Sequence, residues 1–473
     1  MTSAPSATSA EAFTTGARGR GAGAEVSLIV LGGGGDLTRR LLLPGLASLL
    51  TRSEREVEII GASLEESSDA KWGATVRTAF DDVEGGAEAA DRFVDTARWF
   101  TGDVTDEAVL AQILAACQGT PVLFFALPPS VTAKVCDALR GMELPTDLRL
   151  ALEKPFGVDQ ASAEGLDQLI AQIVPERQVF RIDHFLGKST VLNILGLRFS
   201  NTLLKDVWSK DRIERVEIVY DEALGLEGRA GYYDNAGALV DMIQSHLLQV
   251  LALLTMEPLP RLDEVELRSN AAQVLRNTRV IGDDPVAASR RARYTAGRIG
   301  DRDLPSYVDS PGVDPARMTE TLAEVELEVR TPRWSGVPFL LRSGKALGTA
   351  RKEVSIVLTC TDPIEGLAGA LTGDRIVLDL KSDRVRFELT MNGSGDPFEL
   401  ERTEMTAEKE PGDLLPYGQV LEGILDGDPL LSVRGDIAEE CWRIVDPVIE
   451  AWRRDEVPMQ EYAAGSGGPD DWE

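Results

Sequence analysis

Histidine is nearly absent from this chain. Its 473 residues hold two, His184 and His246, with only four cysteines, Cys117, Cys136, Cys360 and Cys441. The cysteines stand far apart and form no Cys-x-x-Cys pair, so a zinc or iron–sulfur centre has no ligand set to build on and no metal is expected. Single cysteines in apolar surroundings read as small buried hydrophobes of a reducing compartment. No uninterrupted apolar run approaches the roughly 20 residues that span a bilayer. The small, polar opening segment lacks the apolar centre of a secretory signal and reads as a disordered tail over residues 1–24. These features together predict a cytoplasmic protein with no membrane partner. Clustered positive charge is missing too: 49 Lys and Arg face 78 Asp and Glu, for a net charge of −29. Nucleic acid, whose phosphates demand clustered cations, is therefore not expected as a partner. A phosphorylated small molecule would need cations gathered locally against the field of the whole chain.

The composition that remains is globular, 43% hydrophobic and 27% charged, and the length suits two domains. From Glu25 to Asp183, short apolar runs alternate with helical stretches: VSLIVL (26–31), EVEIIG (56–61), PVLFFAL (121–127), LRLALE (148–153) and RQVFRID (177–183). Nearly continuous apolar strands between helices imply a parallel sheet covered on both faces. Beyond residue 200 the pattern turns to alternation, in RIERVEIVYDE (212–222), TLAEVELEVR (321–330), KEVSIVLTC (352–360), DRIVLDLKS (374–382) and DRVRFELTM (383–391). Half-buried strands of this kind build an antiparallel sheet, with a hairpin near Ser382–Asp383. An apolar helix is expected over 236–254, and the closing AAGSGGPDDWE reads as a second frayed end.

Three motifs carry chemistry. First, VSLIVL runs into Gly32-Gly33-Gly34-Gly35-Asp36-Leu37 and a helix. Glycines at a strand-to-helix turn let backbone N–H groups approach a pyrophosphate, although four glycines alone can equally make a flexible turn. Two later strands end in Pro128-Pro129-Ser130 and Glu153-Lys154-Pro155, and ligands of open α/β sheets bind outside such carboxyl ends of the strands. Second, His184 and Lys188 stand four apart at the start of an expected helix. Two potential cations there repel each other and the helix dipole unless an anion fills the gap. The alternative is a buried histidine beside a solvated lysine. Third, Asp241, Gln244 and His246 interrupt the apolar helix. At 100° per residue Asp241 and His246 lie about 140° apart, too far to pair directly, though both can line one pocket. Hydride removal from an alcohol needs a base for the hydroxyl proton, and histidine suits neutral pH. Asp183, at a strand end, is the candidate partner. The bland reading of His246 is a satisfied core histidine.

Together these residues resemble the glucose-6-phosphate dehydrogenase family. The Gly-rich turn ends in Gly-Asp-Leu, Glu153–Gly157 reads EKPFG, and Arg181–Lys188 reads RIDHFLGK with Phe185 in the place of a tyrosine. Asp241–Gln249 reads DMIQSHLLQ with Ser245 in the place of an asparagine. EALGLEGRAGYYDNAGAL (222–239), PFLLRSGKAL (338–347) and the segment 415–452 extend the match over roughly 26–460. The resemblance implies a Rossmann-type domain over 25–190 and a larger domain with a broad antiparallel sheet and helices over 191–461, with a disordered tail at 462–473. It implies NAD(P)-dependent oxidation of glucose 6-phosphate to its 1,5-lactone, the opening of the oxidative pentose phosphate pathway, by a homodimer or homotetramer. By the same resemblance His246 takes the C1 hydroxyl proton and Asp183 orients it. His184 and Lys188 hold the phosphate, Glu222, Asp241 and Lys345 the sugar hydroxyls, and Lys154 bridges sugar and coenzyme through a cis Lys154–Pro155 bond. The coenzyme falls to Gly32, Gly33, Gly34, Gly35, Asp36, Leu37, Arg40, Leu64, Pro128 and Lys154.

Two departures stand out. NADP-preferring members commonly place Ser or Thr at Gly34 and arginine where this chain has Leu64, followed by Glu65 and Glu66. An acidic residue there repels a 2′-phosphate and suits the free ribose of NAD. The family thus points to NADP, and these residues to substantial or dominant use of NAD, with Arg39 and Arg40 as the cations available to offset the acid. Phe185 also lacks a hydroxyl for the phosphate. Competing readings are a sugar or inositol dehydrogenase of similar plan, which acts on uncharged polyols and has no use for His184 and Lys188, and a non-catalytic regulatory paralogue.

Overall fold

The computed structural model describes residues 26–228, 230–369, 372–410 and 412–472, so the expected tail over 1–24 lies outside the described residues. Six strands, β1 (Val26–Leu31), β2 (Val57–Ser63), β3 (Arg98–Thr101), β4 (Thr120–Phe125), β5 (Arg149–Glu153) and β6 (Val179–Ile182), form a parallel sheet in the order 6-5-4-1-2-3. Every residue of β1 is buried, as a central strand covered on both faces requires. Strand order reverses between β1 and β4, and the glycine turn leaves β1 at that switch point.

The second sheet carries β7 (Ile213–Asp221), β8 (Thr278–Val280), β9 (Ser289–Thr295), β12 (Leu322–Val329), β13 (Pro338–Gly344), β14 (Lys352–Leu358), β15 (Arg375–Asp379), β16 (Arg384–Asn392), β17 (Leu400–Glu408) and β19 (Met459–Ala463). Between β9 and β12 the short strands β10 (Gly297–Ile299) and β11 (Arg302–Leu304) make a hairpin of their own. The main path runs 17-16-15-14-7-13-12-9-19, with β8 on β12. The hairpin near Ser382–Asp383 is the β15–β16 turn. The sheet is mixed rather than wholly antiparallel, because β7 pairs with β13, and β9 with β19, in parallel.

Two expectations about the chain's course need correction. A two-residue strand, β18 (Ser432–Val433), returns to the first sheet and pairs antiparallel with β6, so that sheet is not complete by residue 190. The segment 462–473 does not fray as expected: Tyr462 and Ala463 finish β19, the Tyr462 hydroxyl donates to the Lys345 carbonyl at 2.6 Å, and Trp472 is 8% exposed. Two aromatic anchors outweigh the Gly/Ser-rich stretch between them.

The apolar helix spans Ala230–Thr255, long and apolar enough to cross a membrane, but 89% of its most apolar window is buried inside the chain. It is not a plain α-helix. Gly237 (φ 67°, ψ 178°) breaks it, and Leu239–Leu247 winds as a π-helix before α-helix resumes at Leu248. A Cβ at residue 237 would lie 2.3 Å from a Glu320 carboxylate oxygen, which accepts the Leu239 N–H at 2.9 Å and anchors the start of the wide turn.

Candidate active site

Gly32 extends the β1–β2 pairing by donating to the Ala62 carbonyl at 2.8 Å, and Gly35 closes the turn on Gly32 at 2.9 Å. Gly32 has φ +86°, and a Cβ there would sit 2.3 Å from the Ala126 carbonyl oxygen, so only glycine fits this crossing with β4. The helix begins at Asp36. A cradle of bare backbone at a helix N-terminus and switch point fits a dinucleotide pyrophosphate. A Cβ at residue 34 would lie 2.7 Å from the end of the exposed Glu65 side chain, which reaches over the turn. Glu65 therefore fills the place over the turn that Leu64, 73% exposed, does not. The two arginines are engaged nearby, Arg39 with the Gly34 carbonyl and Arg40 with Asp36 at 3.2 Å on an exposed helix face. Pro128 lies exposed at the end of β4, ahead of helix Pro129–Arg140.

Asp183 directly follows β6, and its Oδ1 accepts the Phe185 N–H at 2.9 Å. The same oxygen lies 2.5 Å from His246 Nδ1, joining residues 63 apart in the chain. Both side chains are buried, 1% and 2% exposed. Burial alone would raise the Asp183 carboxyl, but His246, His184 and Lys154 pull it down to about 2. Burial lowers the His246 pKa, and Asp183 opposes this without reversing it. An ionised carboxylate at Nδ1 fixes the neutral ring with its proton there, leaving Nε2 as a base. Phe185 stacks on the His246 ring at 4.2 Å and 10°. The residue in the tyrosine place thus packs against His246.

His184 and Lys188 do not share an α-helical face as expected. Residues His184–Gly187 form a 3-10 turn, and Lys188 caps the helix Ser189–Ser200. Asp183 starts this tighter turn by capping it. The His184 ring meets His246 edge-on at 4.6 Å and stacks on Tyr417 at 5.6 Å. Burial first, then His246, hold its pKa well below 6.5. The pair is therefore one neutral N–H donor and one ammonium, rather than two cations.

The π-helix also corrects the geometry of Asp241. Its i→i+5 bonding, as from Leu248 N–H to the Ile243 carbonyl, brings residues five apart nearly onto one face, so Asp241 and His246 stand a turn apart rather than on different sides. The Asp241 charge reaches His246 and raises its pKa, and the Tyr232 hydroxyl donates to Asp241 at 3.3 Å. Lys154 crosses from the first sheet, donating to the Asp241 carbonyl at 2.5 Å with Asp241 Oδ1 at 3.4 Å and Ser245 Oγ at 3.5 Å. The Lys154–Pro155 peptide is cis. Farther along, Glu222 accepts from Lys345 at 2.7 Å and Lys352 at 3.2 Å, and despite burial these lysines hold its pKa low.

Donor atoms of Asp183, His184 and His246 all lie within 4.8 Å of one another, so the chain does bring together a group that could hold an ion, which spacing in the sequence did not reveal. Within the group Asp183 Oδ1 and His246 Nδ1 already meet in a 2.5 Å hydrogen bond, which favours an acid–base couple. The motifs assign no role to four residues near the site: Glu153, Tyr417, Tyr220 and Lys352. Burial pushes the Glu153 carboxyl up to about 8, against the opposing pull of Tyr417 and Lys154. The Glu-Lys-Pro-Phe-Gly and Leu-Pro-Tyr-Gly segments signalled that these stretches matter, but not that they meet.

A dinucleotide cradle on the strand ends, faced from the buried π-helix by a histidine with a free ring nitrogen, is the plan of a nicotinamide-dependent oxidoreductase. This chain has that plan. Residues 29–193 match the family model described as the glucose-6-phosphate dehydrogenase NAD binding domain, and residues 195–473 its C-terminal domain. Glucose-6-phosphate 1-dehydrogenase of Gluconobacter oxydans is 38% identical over 93% of this chain and 94% of its own length. The enzyme of Mycolicibacterium smegmatis is 34% identical over 94% of each. Among solved structures, glucose-6-phosphate 1-dehydrogenase from Mycobacterium avium superposes with TM-score 0.82 at 31% identity, covering 94% of this chain and 95% of its own. A glucose-6-phosphate dehydrogenase in complex with its substrate superposes with TM-score 0.83 at 27% identity, covering 94% and 96%. The chain belongs to the glucose-6-phosphate dehydrogenase family.

Proposed function

We propose that this chain oxidises glucose 6-phosphate at C1 to the 1,5-lactone, with His246 Nε2 taking the C1 hydroxyl proton while Asp183 holds Nδ1 and balances the imidazolium that forms. When bound, the oxidised nicotinamide supplies the acceptor for the C1 hydride. His184 and Lys188 grip the 6-phosphate, and Glu222, Asp241 and Lys345 meet the sugar hydroxyls. Lys154, already on Asp241, sits between sugar and coenzyme. The observation that carries this reading is the buried 2.5 Å contact between His246 and Asp183 beside His184. Purified protein given glucose 6-phosphate and each coenzyme should form reduced coenzyme, and glucose should be a far poorer substrate. Equal turnover of glucose would favour a polyol dehydrogenase, and no turnover of any sugar phosphate a regulatory paralogue.

The coenzyme reading goes further. The turn Gly32–Leu37 takes the pyrophosphate, and Glu65, closed over Gly34, suits two free ribose hydroxyls and opposes a 2′-phosphate. NAD should therefore serve at least as well as NADP. Replacing Glu65 by Ser together with Leu64→Arg should move the kcat/KM ratio toward NADP by about tenfold or more. A wild-type enzyme with strong NADP preference, or a double variant with no shift, contradicts this. We also expect a homodimer or homotetramer, to be read by sedimentation equilibrium, and a cytoplasmic setting.

The lowered His246 pKa fixes a pH dependence. Above it the ring is a neutral base, so kcat/KM should hold through neutrality and decline only as pH falls through a value below 6.5.

A further inference from the structure

We propose that Tyr220 is a ligand of the substrate phosphate in this chain, its hydroxyl donating to the group that Lys188 holds. The inference rests on the reading of His184 and Lys188 as the phosphate grip. Phe185 leaves the 3-10 turn without a hydroxyl. One arrives from the second sheet instead: Tyr220, next to last in β7, packs its ring on Phe185 at 5.2 Å and sets its hydroxyl 3.3 Å from Lys188 Nζ. An ammonium has no acceptor, so the tyrosine oxygen accepts there and its own proton is free to donate. Among the described residues, no protein acceptor takes that proton.

The charge around the ring points to an anion. Lys352 pairs directly opposite Tyr220 across β7 and β14. Its ammonium lies 4.2 Å from the ring centre, and that of Lys188 lies 5.0 Å away. Two like charges thus clasp one phenol. Glu222 offsets Lys352 but is shared with Lys345, and Lys188 has no ion pair among the described residues. In a chain of net charge −29, an ammonium without a carboxylate, beside a second ammonium, is an arrangement that an incoming dianion relieves. A cavity of about 450 Å³ opens beside Lys188 and Tyr220; its lining adds Lys381 and Lys409, which have no ion pair among the described residues, an Arg384–Glu408 ion pair, and Asp383, which accepts the Ser189 hydroxyl at 2.7 Å. A phosphate has lone pairs enough for a hydroxyl and two ammoniums at once, whereas the C6 hydroxyl of glucose does not. Tyr220 and Lys352 thereby become determinants of the preference for the phosphorylated sugar.

The test compares Tyr220→Phe, Lys352→Met and Lys188→Ala by the ratio of kcat/KM for glucose 6-phosphate to that for glucose. Tyr220→Phe keeps the ring and removes one donor, so the ratio should fall about tenfold, through KM, with kcat for glucose 6-phosphate within about twofold. Lys352→Met should lower the ratio by a similar factor. If both leave the ratio unchanged while Lys188→Ala collapses it, Tyr220 is no phosphate ligand but the phosphate grip stands. If Lys188→Ala also leaves it unchanged, the grip reading fails with it. A Tyr220→Phe enzyme that loses both substrates equally shows a packing role and overturns the proposal.

Discussion

Replacing His246 by asparagine should lower kcat by about 10²–10⁴-fold, the range expected when a positioned general base is lost. Asparagine fills much of the same space against Phe185 and can still bond Asp183, so the fold is preserved and the loss falls on chemistry. In the proposed roles His246 meets the C1 end of the sugar and not its phosphate, so binding of glucose 6-phosphate should stay within about threefold of wild type. Calorimetric titration of the variant alongside steady-state rates separates the two. A variant that binds weakly but turns over normally when saturated would move His246 from the reaction to the grip.

Asp183→Asn should cost nearly as much, about 10²–10⁴-fold in kcat, by a different route. The carboxylate is ionised down to about pH 2, so at any working pH it accepts the Nδ1 proton and stabilises the imidazolium. An amide can turn its N–H toward Nδ1, which moves the ring proton to Nε2 and takes away the base. The sign of the accompanying pH shift is fixed as well. Asp183 raises the His246 pKa against burial, so without its charge the acid limb of kcat/KM moves to still lower pH. An acid limb that stayed in place, or moved upward, would show that Asp183 is not the group acting on the base.

The parallel sheet and the cradle were legible because their causes are local. An all-apolar VSLIVL must be a covered strand, and glycines after it must be a turn. The antiparallel texture after residue 200 was legible for the same reason, whereas the parallel pairings of β7 with β13 and of β9 with β19 leave no mark in either strand's alternation. The His246–Asp183 pairing was legible from the chemistry, a base that needs a carboxylate and an aspartate at a strand end on the same crevice, although no strand or helix periodicity joins residues 63 apart. Helical arithmetic misled outright in two places. It set Asp241 and His246 apart because it assumed 100° per residue, where a Gly237 break and a Glu320 anchor favour a wider π-turn. It put His184 and Lys188 on one helix face because the Asp183 cap, which draws residues 184–187 into a 3-10 turn, depends on a side chain that tertiary contact with His246 holds in place. At the other end of the chain, two buried aromatics, Tyr462 and Trp472, outweighed a composition that reads as a loose tail.

The claim at the centre is that one buried ring removes the C1 proton. The single-turnover rate of coenzyme reduction, followed across pH in wild type and in His246→Asn, addresses it most directly. The account predicts a wild-type rate that declines through one protonation below pH 6.5, and a slow variant rate from which that protonation has disappeared. The same acid limb persisting in His246→Asn would assign the proton to another group and contradict the account.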